Sequence, residues 1–196
     1  MIDNKGEQNK QNKGGRDYYP TTTQIISAII PYKFKCDDYY LELGKAVHRA
    51  LELHCLNKLD ETSLSEEIKV YVDAYKKASV EYMIEPLVLE KRYYNDKMQY
   101  SGKLDMIATI NGSTYVVDFK TSKTPDELTV KRWRLQTASY SELSGISKRC
   151  VLQWCKNNTW RFVEFKEKTD IYAFYSCLSL FNFLKPTTTE ILEDLL

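Results

Sequence analysis

The sequence predicts an α+β fold: a helix, a three-stranded antiparallel meander, a second helix and a further strand as the core, with extra helices at both ends of the chain. Three observations carry this. Two apolar-rich runs, Leu104 to Ile110 and Tyr115 to Phe119, flank Asn111-Gly112, the dipeptide that best supplies the positive φ angles of a two-residue type I′ hairpin turn. Upstream, Tyr40, Leu41, Val47, Leu51 and Cys55 recur at helical spacing. Downstream, Pro125-Asp126 opens and Gly145 closes a segment with the start and stop signals of a helix.

At 196 residues the chain fits one domain of ordinary size. A formal net charge of +1 excludes a polycationic coat protein and leaves room for local basic patches. No apolar run approaches the length of about 18 residues that reads as a membrane span. The N-terminus lacks a signal-peptide core, and Asp3 and Glu7 argue against a transit peptide, so a soluble cytoplasmic protein without membrane contact is expected. Cys36, Cys55, Cys150, Cys155 and Cys177 are scattered and form no C-x-x-C pair, which argues against a disulfide framework and a zinc site. They read as reduced thiols.

Residues 1–17 are polar and rich in Lys, Asn, Gln and Gly; they have too few apolar side chains to offset ordering and read as a disordered tail. Residues 18–196 then form a single domain. Thr21 onwards, TTTQIISAII, is a short Thr-capped helix stopped by Pro31. In the helix from about Asp38 to Asn57, His48 turns the same way as Leu41, Leu51 and Cys55, so it is either a satisfied core histidine or a ligand, while His54 reads as surface. Ser63 and Glu66 form a capping box for a helix running to Met83, with Ile68, Val72 and Tyr75 on its apolar stripe and Pro86 ending it.

Leu87 to Tyr94 is the first strand of the meander and turns through Asn95-Asp96-Lys97. If Tyr94 pairs with Gln99, Glu90 falls opposite Lys103, either as its partner or as a metal ligand. In the helix after Pro125, Leu128, Leu135 and Ala138 take the buried side, and Arg132, Gln136 and Tyr140 stack on one face. With Lys131 and Arg134 beside them, this face either tracks a phosphodiester backbone or is simply solvated. Arg149 to Cys155 and Thr159 to Phe165 are two further strands around Lys156-Asn157-Asn158, with Trp154 and Trp160 packing the sheet. Asp170 caps a last helix through Phe183, Pro186 closes it, and TTTEILEDLL is a short acidic end helix or a partner-binding tail.

The register of the Asn111-Gly112 hairpin has a chemical consequence. Counting back from Ile110 facing Ser113 puts Asp105 opposite Asp118 and Lys103 opposite Lys120. Like charges opposed across a ladder, with Cβ atoms about 4.5–5.5 Å apart, are destabilising. A divalent cation between the carboxylates removes the penalty; the other reading is a solvated outer face. Lys120 shares the face of Asp118. Ile107 and Val116 extend that face, and Met106, Val117 and Phe119 line the opposite one, so neither reads as freely wetted.

Four motifs in this order resemble those of the PD-(D/E)XK nuclease superfamily and, within it, the RecB-type exonuclease branch: Gly-x-x-x-His at Gly44 to His48, Gly-x-x-Asp at Gly102 to Asp105, Asp-x-Lys-Thr at Asp118 to Thr121, and Gln-x-x-x-Tyr at Gln136 to Tyr140. The resemblance covers about residues 40 to 165 and implies a restriction-endonuclease-like core with metal-dependent DNA cleavage. By that resemblance Asp105 and Asp118 bind Mg²⁺ or Mn²⁺, one or two ions, with the Phe119 carbonyl and His48 as further ligands beside Glu90. Lys120 orients or deprotonates the attacking water, losing its proton more readily beside a cation. Gln136 and Tyr140 position the loop and the substrate strand, and Thr121, Ser122 and Lys123 approach phosphate. Some relatives hold an iron–sulfur cluster on one upstream and three clustered cysteines. The spacing of Cys150, Cys155 and Cys177 does not match that pattern, and no cluster is expected. The compact chain looks like a stand-alone phage or mobile-element exonuclease acting on linear single- or double-stranded DNA ends in recombination, repair or replication. A homo-oligomer and a recombination or replication protein are compatible partners. The alternatives are a catalytically silent or partner-activated DNA-binding module of the same fold, and a structure-specific endonuclease.

Overall fold

Asn111 and Gly112 take φ angles of 48° and 74°, as a type I′ turn requires. They join strand β2 (Tyr100–Ile110) to β3 (Ser113–Lys120) with Ile110 opposite Ser113, as counted from the sequence. This computed structural model describes residues 15–32 and 37–185. Most of the polar segment 1–17, Cys36 and the acidic end segment 187–196 lie outside the described residues.

Around the hairpin the described strands form one sheet in the order β1 (Glu85–Asn95), β2, β3, β4 (Lys148–Trp154), β5 (Trp160–Phe165). Only β3 and β4 are parallel, and helix α4 (Glu127–Ser144) connects them. Helices α2 (Asp38–Cys55) and α3 (Glu66–Glu81) cover one face, where Val47, Leu51, Val72 and Tyr75 pack on Met106, Val117, Phe119 and Leu152. Trp154 and Trp160 join this layer, their rings 5.3 Å apart. Helices α1 (Thr22–Ile29), α4 and α5 (Asp170–Phe183) cover the other face. Ile25, Leu135, Phe174 and Leu178 form one cluster there, and Leu104, Ile107, Val116 and Tyr140 a second. Each fully buried Leu or Ile contributes about 1.5–3 kcal/mol, so the sheet is clamped from both sides. This is the expected α+β architecture.

Several local expectations are corrected. Ser65, not Ser63, caps α3, accepting from the Ile68 N–H. Asp60 claims the preceding residues, its carboxylate accepting from Thr62 and drawing Glu61–Ser63 into a 3₁₀ turn. The helix ends at Glu81, and Pro86 lies within β1 at an irregularity in its pairing with β2. The β1–β2 register is two residues from that expected: Tyr94 faces Ser101 and Arg92 faces Lys103. The turn has the same four-residue length but sits one residue further along, at 96–99, where Asn95 accepts from the Met98 N–H and Gln99 takes a φ of 53°. A shift of two preserves which residues share a face. Arg16, within the segment expected to be disordered, pairs with Asp96 at 2.5 Å. His54 is half-buried against the Tyr75 ring rather than on the surface.

Asp170 does not cap α5; Thr169 holds that position. Asp170 is the helix's first residue, and its buried carboxylate accepts from Arg134 at 2.7 and 3.1 Å and from Arg149 at 2.6 Å. Arg149 also donates to the carbonyls of Arg134 and Glu167, so one buried ionic knot ties α4, β4 and α5 together. Burial alone would raise the Asp170 carboxyl, but hydrogen bonds from the two guanidinium groups outweigh it and hold the group below its usual value. A depressed carboxyl contributes stability above its unfolded value of about 3.9 and loses it as pH falls through the folded value. Asp170→Ala strands the buried Arg149, and urea unfolding at neutral pH should report a loss of about 3–5 kcal/mol. The gap to wild type should narrow below about pH 4; a gap undiminished in strong acid would contradict the ion-pair account.

Candidate active site

Alternation along β3 turns Val116, Asp118 and Lys120 toward α4, and Val117 and Phe119 toward α2 and α3. Asp118 is only 2% exposed. Its Oδ2 lies 2.5 Å from Lys120 Nζ, and Lys120 in turn donates to Gln136 Oε1 at 2.8 Å. Gln136 Nε2 reaches Asp118 Oδ1 at 3.3 Å and Tyr140 Oη at 2.9 Å. The spacing of Gln136 and Tyr140 along α4 stacks them on one stripe, and Gly102 lets that stripe close on the sheet. A Cβ at position 102 would meet the Tyr140 ring at 2.7 Å and Leu143 at 2.8 Å.

Asp105 departs from its expected place. Cα pairing of β2 with β3 follows the expected register as far as Met106 and Val117 and ends there. The Asp105 carboxylate accepts the Phe119 N–H at 2.8 Å where the ladder would have continued. Side-chain alternation slips at the same point, since Leu104 and Ile107 join the α4 layer while Met106 joins the α2 layer. The two carboxylates therefore do not oppose each other across a ladder, yet they stay within electrostatic reach of one another. Ile107 and Val116 extend the face of Asp118.

On the α2 side His48 Nδ1 lies 3.3 Å from Asp105 Oδ2. Glu90, in strand β1 but with a left-handed φ of 49°, brings its carboxylate to the same point. One ligand atom each from His48, Glu90 and Asp105 lie within 4.8 Å of one another. Glu90 is also ion-paired with Lys103, so the reading of Glu90 as the partner of Lys103 holds. These residues line a cleft of about 430 Å³ together with Tyr40, Gly44 and Thr121. Strain at a non-glycine residue, of order 1–3 kcal/mol, collects at functional sites, and Glu90 fits that pattern.

The electrostatics divide the two acids. Burial, reinforced by Asp105 and opposed by Lys120, pushes the Asp118 carboxyl up to about 6. Burial also acts to raise Asp105, but His48, Lys120 and the Phe119 N–H outweigh it and hold that group below its usual value. His48 and Lys120 are each raised: burial opposes their charge, and the neighbouring carboxylates more than compensate. The His48 ring and the Lys120 amine are the groups placed to offset the two carboxylates. Asp118 Oδ2 is buried, with Lys120 Nζ as its partner at 2.5 Å. Together with two more carboxylates and an imidazole nearby, it makes a donor set that fits a hard divalent cation.

The expected contact stripe on α4 is corrected in part. Arg132 is 3% exposed, donating to Ser27 Oγ at 2.9 Å and to the Ile30 carbonyl. Arg134 is committed to Asp170, and Tyr140 is 4% exposed, placed to orient Gln136 rather than to meet a ligand. Lys131 remains at the surface, beside Glu127 at 2.7 Å. Thr121 reaches the cleft, and Ser122 and Lys123 are exposed. Sequence reasoning missed Gln153, buried in β4, which donates to the Ser122 carbonyl at 3.2 Å and accepts from Arg161 at 2.6 Å, fixing the loop after Lys120. Its signal was a lone amide within the apolar run Cys150 to Trp154. Lys45 and Arg49, one helical turn apart on α2, also line the cleft.

No protein-family model and no curated protein matches this chain in sequence. Among solved structures it is similar to a candidate exonuclease from Eubacterium rectale, with a TM-score of 0.55 and 10% identity over 89% of this chain and 84% of that one. The LHK-Exo complex with dAMP gives a TM-score of 0.48 and 12% identity, over 86% of this chain and 88% of that one. The alkaline exonuclease LHK-Exo from Laribacter hongkongensis gives 0.43 and 10%, over 84% and 86%. The first likeness establishes a shared fold.

Proposed function

We propose that this chain is a metal-dependent deoxyribonuclease of the PD-(D/E)XK superfamily, in its RecB-type exonuclease branch, hydrolysing phosphodiester bonds from DNA ends. One observation carries the reading: two differently built groups converge at the end of β3. One is the buried Asp118, Lys120 and Gln136; the other is the open group of His48, Glu90 and Asp105. The fold shared with the Eubacterium rectale protein, itself described as a candidate exonuclease, supports it.

Asp105 and Asp118, with His48, Glu90 and the Phe119 carbonyl, would hold Mg²⁺ or Mn²⁺. When bound, such a cation neutralises developing phosphoryl charge and makes hydroxide available near neutral pH. Lys120, held between Asp118 and Gln136, is the residue placed to orient the attacking water, and it would take up the water's proton only once a bound cation had driven off the ammonium's own. Gln136 fixes the Lys120 amine and is itself fixed by Tyr140. Thr121, Ser122, Lys123 and Lys131 are the side chains assigned to phosphate, with Gln153 bracing their loop.

The direct test is cleavage of end-labelled linear DNA beside a closed circle in Mg²⁺, Mn²⁺ or EDTA. Metal-dependent loss of the linear strands with the circle intact is the expected result, and nicking of the circle would replace the exonuclease by an endonuclease. Asp118→Asn and Lys120→Ala should each lower the cleavage rate by at least about 10²-fold, the lower end for positioned proton transfer. Asp118→Asn removes a charge that burial opposes and leaves the Lys120 amine with Asp105 and Gln136, so the protein should still melt cooperatively in EDTA; a collapse on melting would make the residue structural. Gln136→Ala removes a support of Lys120 and should reduce turnover about 10–100-fold, while unchanged rates at saturating metal would remove Gln136 from the site.

A further inference from the structure

Arg132 does its work beneath a tyrosine. Its guanidinium, anchored to Ser27 and the Ile30 carbonyl, lies 3.7 Å from the centroid of the Tyr32 ring. One face of Tyr32 is thus clamped on a buried cation, while the residue as a whole stays 59% exposed. A ring held in this way has little freedom left to lose when a ligand settles on it. Arg132 and Gln136 are four residues apart on α4, about 6 Å along the helix axis, so this platform stands one turn from the amide that holds Lys120. The Tyr32 hydroxyl is within electrostatic reach of Lys120 itself.

A second ring stands at the cleft on the His48 side. Tyr40 is 62% exposed and lines the cleft with His48, Glu90 and Asp105. It packs edge-on against Tyr39 at 5.3 Å, and the Tyr39 hydroxyl donates to Glu67 at 2.5 Å, which fixes the pair. The basic residues described along this cleft are weak competitors for phosphate. Lys45 pairs with Glu42, Arg49 with Glu52 and Lys103 with Glu90. Counterion release along the backbone serves single and double strands alike, so charge does not choose between them. Exposed rings do: a strand whose bases are unpaired offers each base's π-face for stacking.

We infer that Tyr32, stacked on Arg132 and within reach of Lys120, and Tyr40, at the cleft, are base-stacking positions, and that the substrate they admit is an unpaired single-stranded DNA end. This rests on the nuclease reading above and adds the strand form that the site takes. The base next to the bond to be cut stacks on Tyr32, which positions its phosphate toward Lys120, and the neighbouring bases meet Tyr40.

The test is anisotropy of labelled oligothymidylate, an abasic strand of the same length and a blunt duplex, all in EDTA so that nothing is cut. Each stacked base is worth about 5- to 150-fold, so with two positions wild-type protein should bind oligothymidylate at least about 25-fold more tightly than the abasic strand. Tyr32→Ala and Tyr40→Ala should each remove one such factor of about 5-fold or more, and Tyr32→Phe, which keeps the ring, should retain the preference; thermal melts confirm that the variants are folded. Equal affinity for the thymidylate and abasic strands, tighter binding of the duplex, or no binding at all would overturn the inference. Linear DNA cleaved equally well by wild type and both alanine variants would overturn stacking and leave the nuclease reading standing. Ring-dependent binding with no cleavage in any metal would support stacking and overturn the nuclease reading instead.

Discussion

A carboxylate that is 2% exposed, sharing its surroundings with a second carboxylate, is the constraint on which the rest of this structure depends. An isolated buried charge costs several kcal/mol even after relaxation, so Asp118 requires a cation, and Lys120 two residues along β3 supplies one. The ammonium then needs an acceptor on its open side, and α4 brings Gln136 to it. For α4 to come so close, Gly102 must lack a side chain where Tyr140 packs. For α4 to stay there, Arg134 and Arg149 bind it to Asp170 and β4. The fold can be read outward from this one requirement.

Taking Asp105 off the ladder changes what the two acids can do. Opposed on one ladder, Asp105 and Asp118 would repel with no ordered partner except an ion. As built, Asp105 has His48 and a backbone N–H, and Asp118 has Lys120, so the fold is electrostatically complete without metal. Two of those partners, His48 and Lys120, are groups that a divalent cation would displace or deprotonate. Gln153 contributes on the far side by holding the Ser122 carbonyl, so that the loop after β3 meets the cleft in one conformation.

The parts legible in the sequence were those with short-range causes. Asn111-Gly112 dictated its own turn, Asp126 and Gly145 bounded α4, and the apolar periods of α1 and α2 placed those helices close to their observed bounds. The register of β2 on β3 followed from the turn, but the side-chain slip at Asp105 did not, because nothing in Gly102 to Met106 marks where alternation breaks. The β1–β2 register failed for a related reason: Asn95 accepts from the Met98 N–H and so holds a four-residue turn one position further along, a placement that the run Asn95 to Gln99 does not single out. The roles of Arg132, Arg134 and Asp170 were hidden because charged residues on an amphipathic helix read as solvated until a partner from another element arrives to bury them. His48, Asp118, Lys120 and Gln136 were named from the sequence, and the structure brings them together at the end of β3; Tyr32 carried no signal at all.

Diffraction from crystals soaked in Mn²⁺, recorded for the anomalous signal of the metal, tests the central claim most directly. The account predicts a peak bounded by the carboxylates of Asp105 and Asp118, with Glu90 and His48 on its open side and the Lys120 ammonium moved away from Asp118 Oδ2. No peak at saturating Mn²⁺, with the Lys120–Asp118 ion pair intact, would contradict it and leave the cluster as a structural salt bridge.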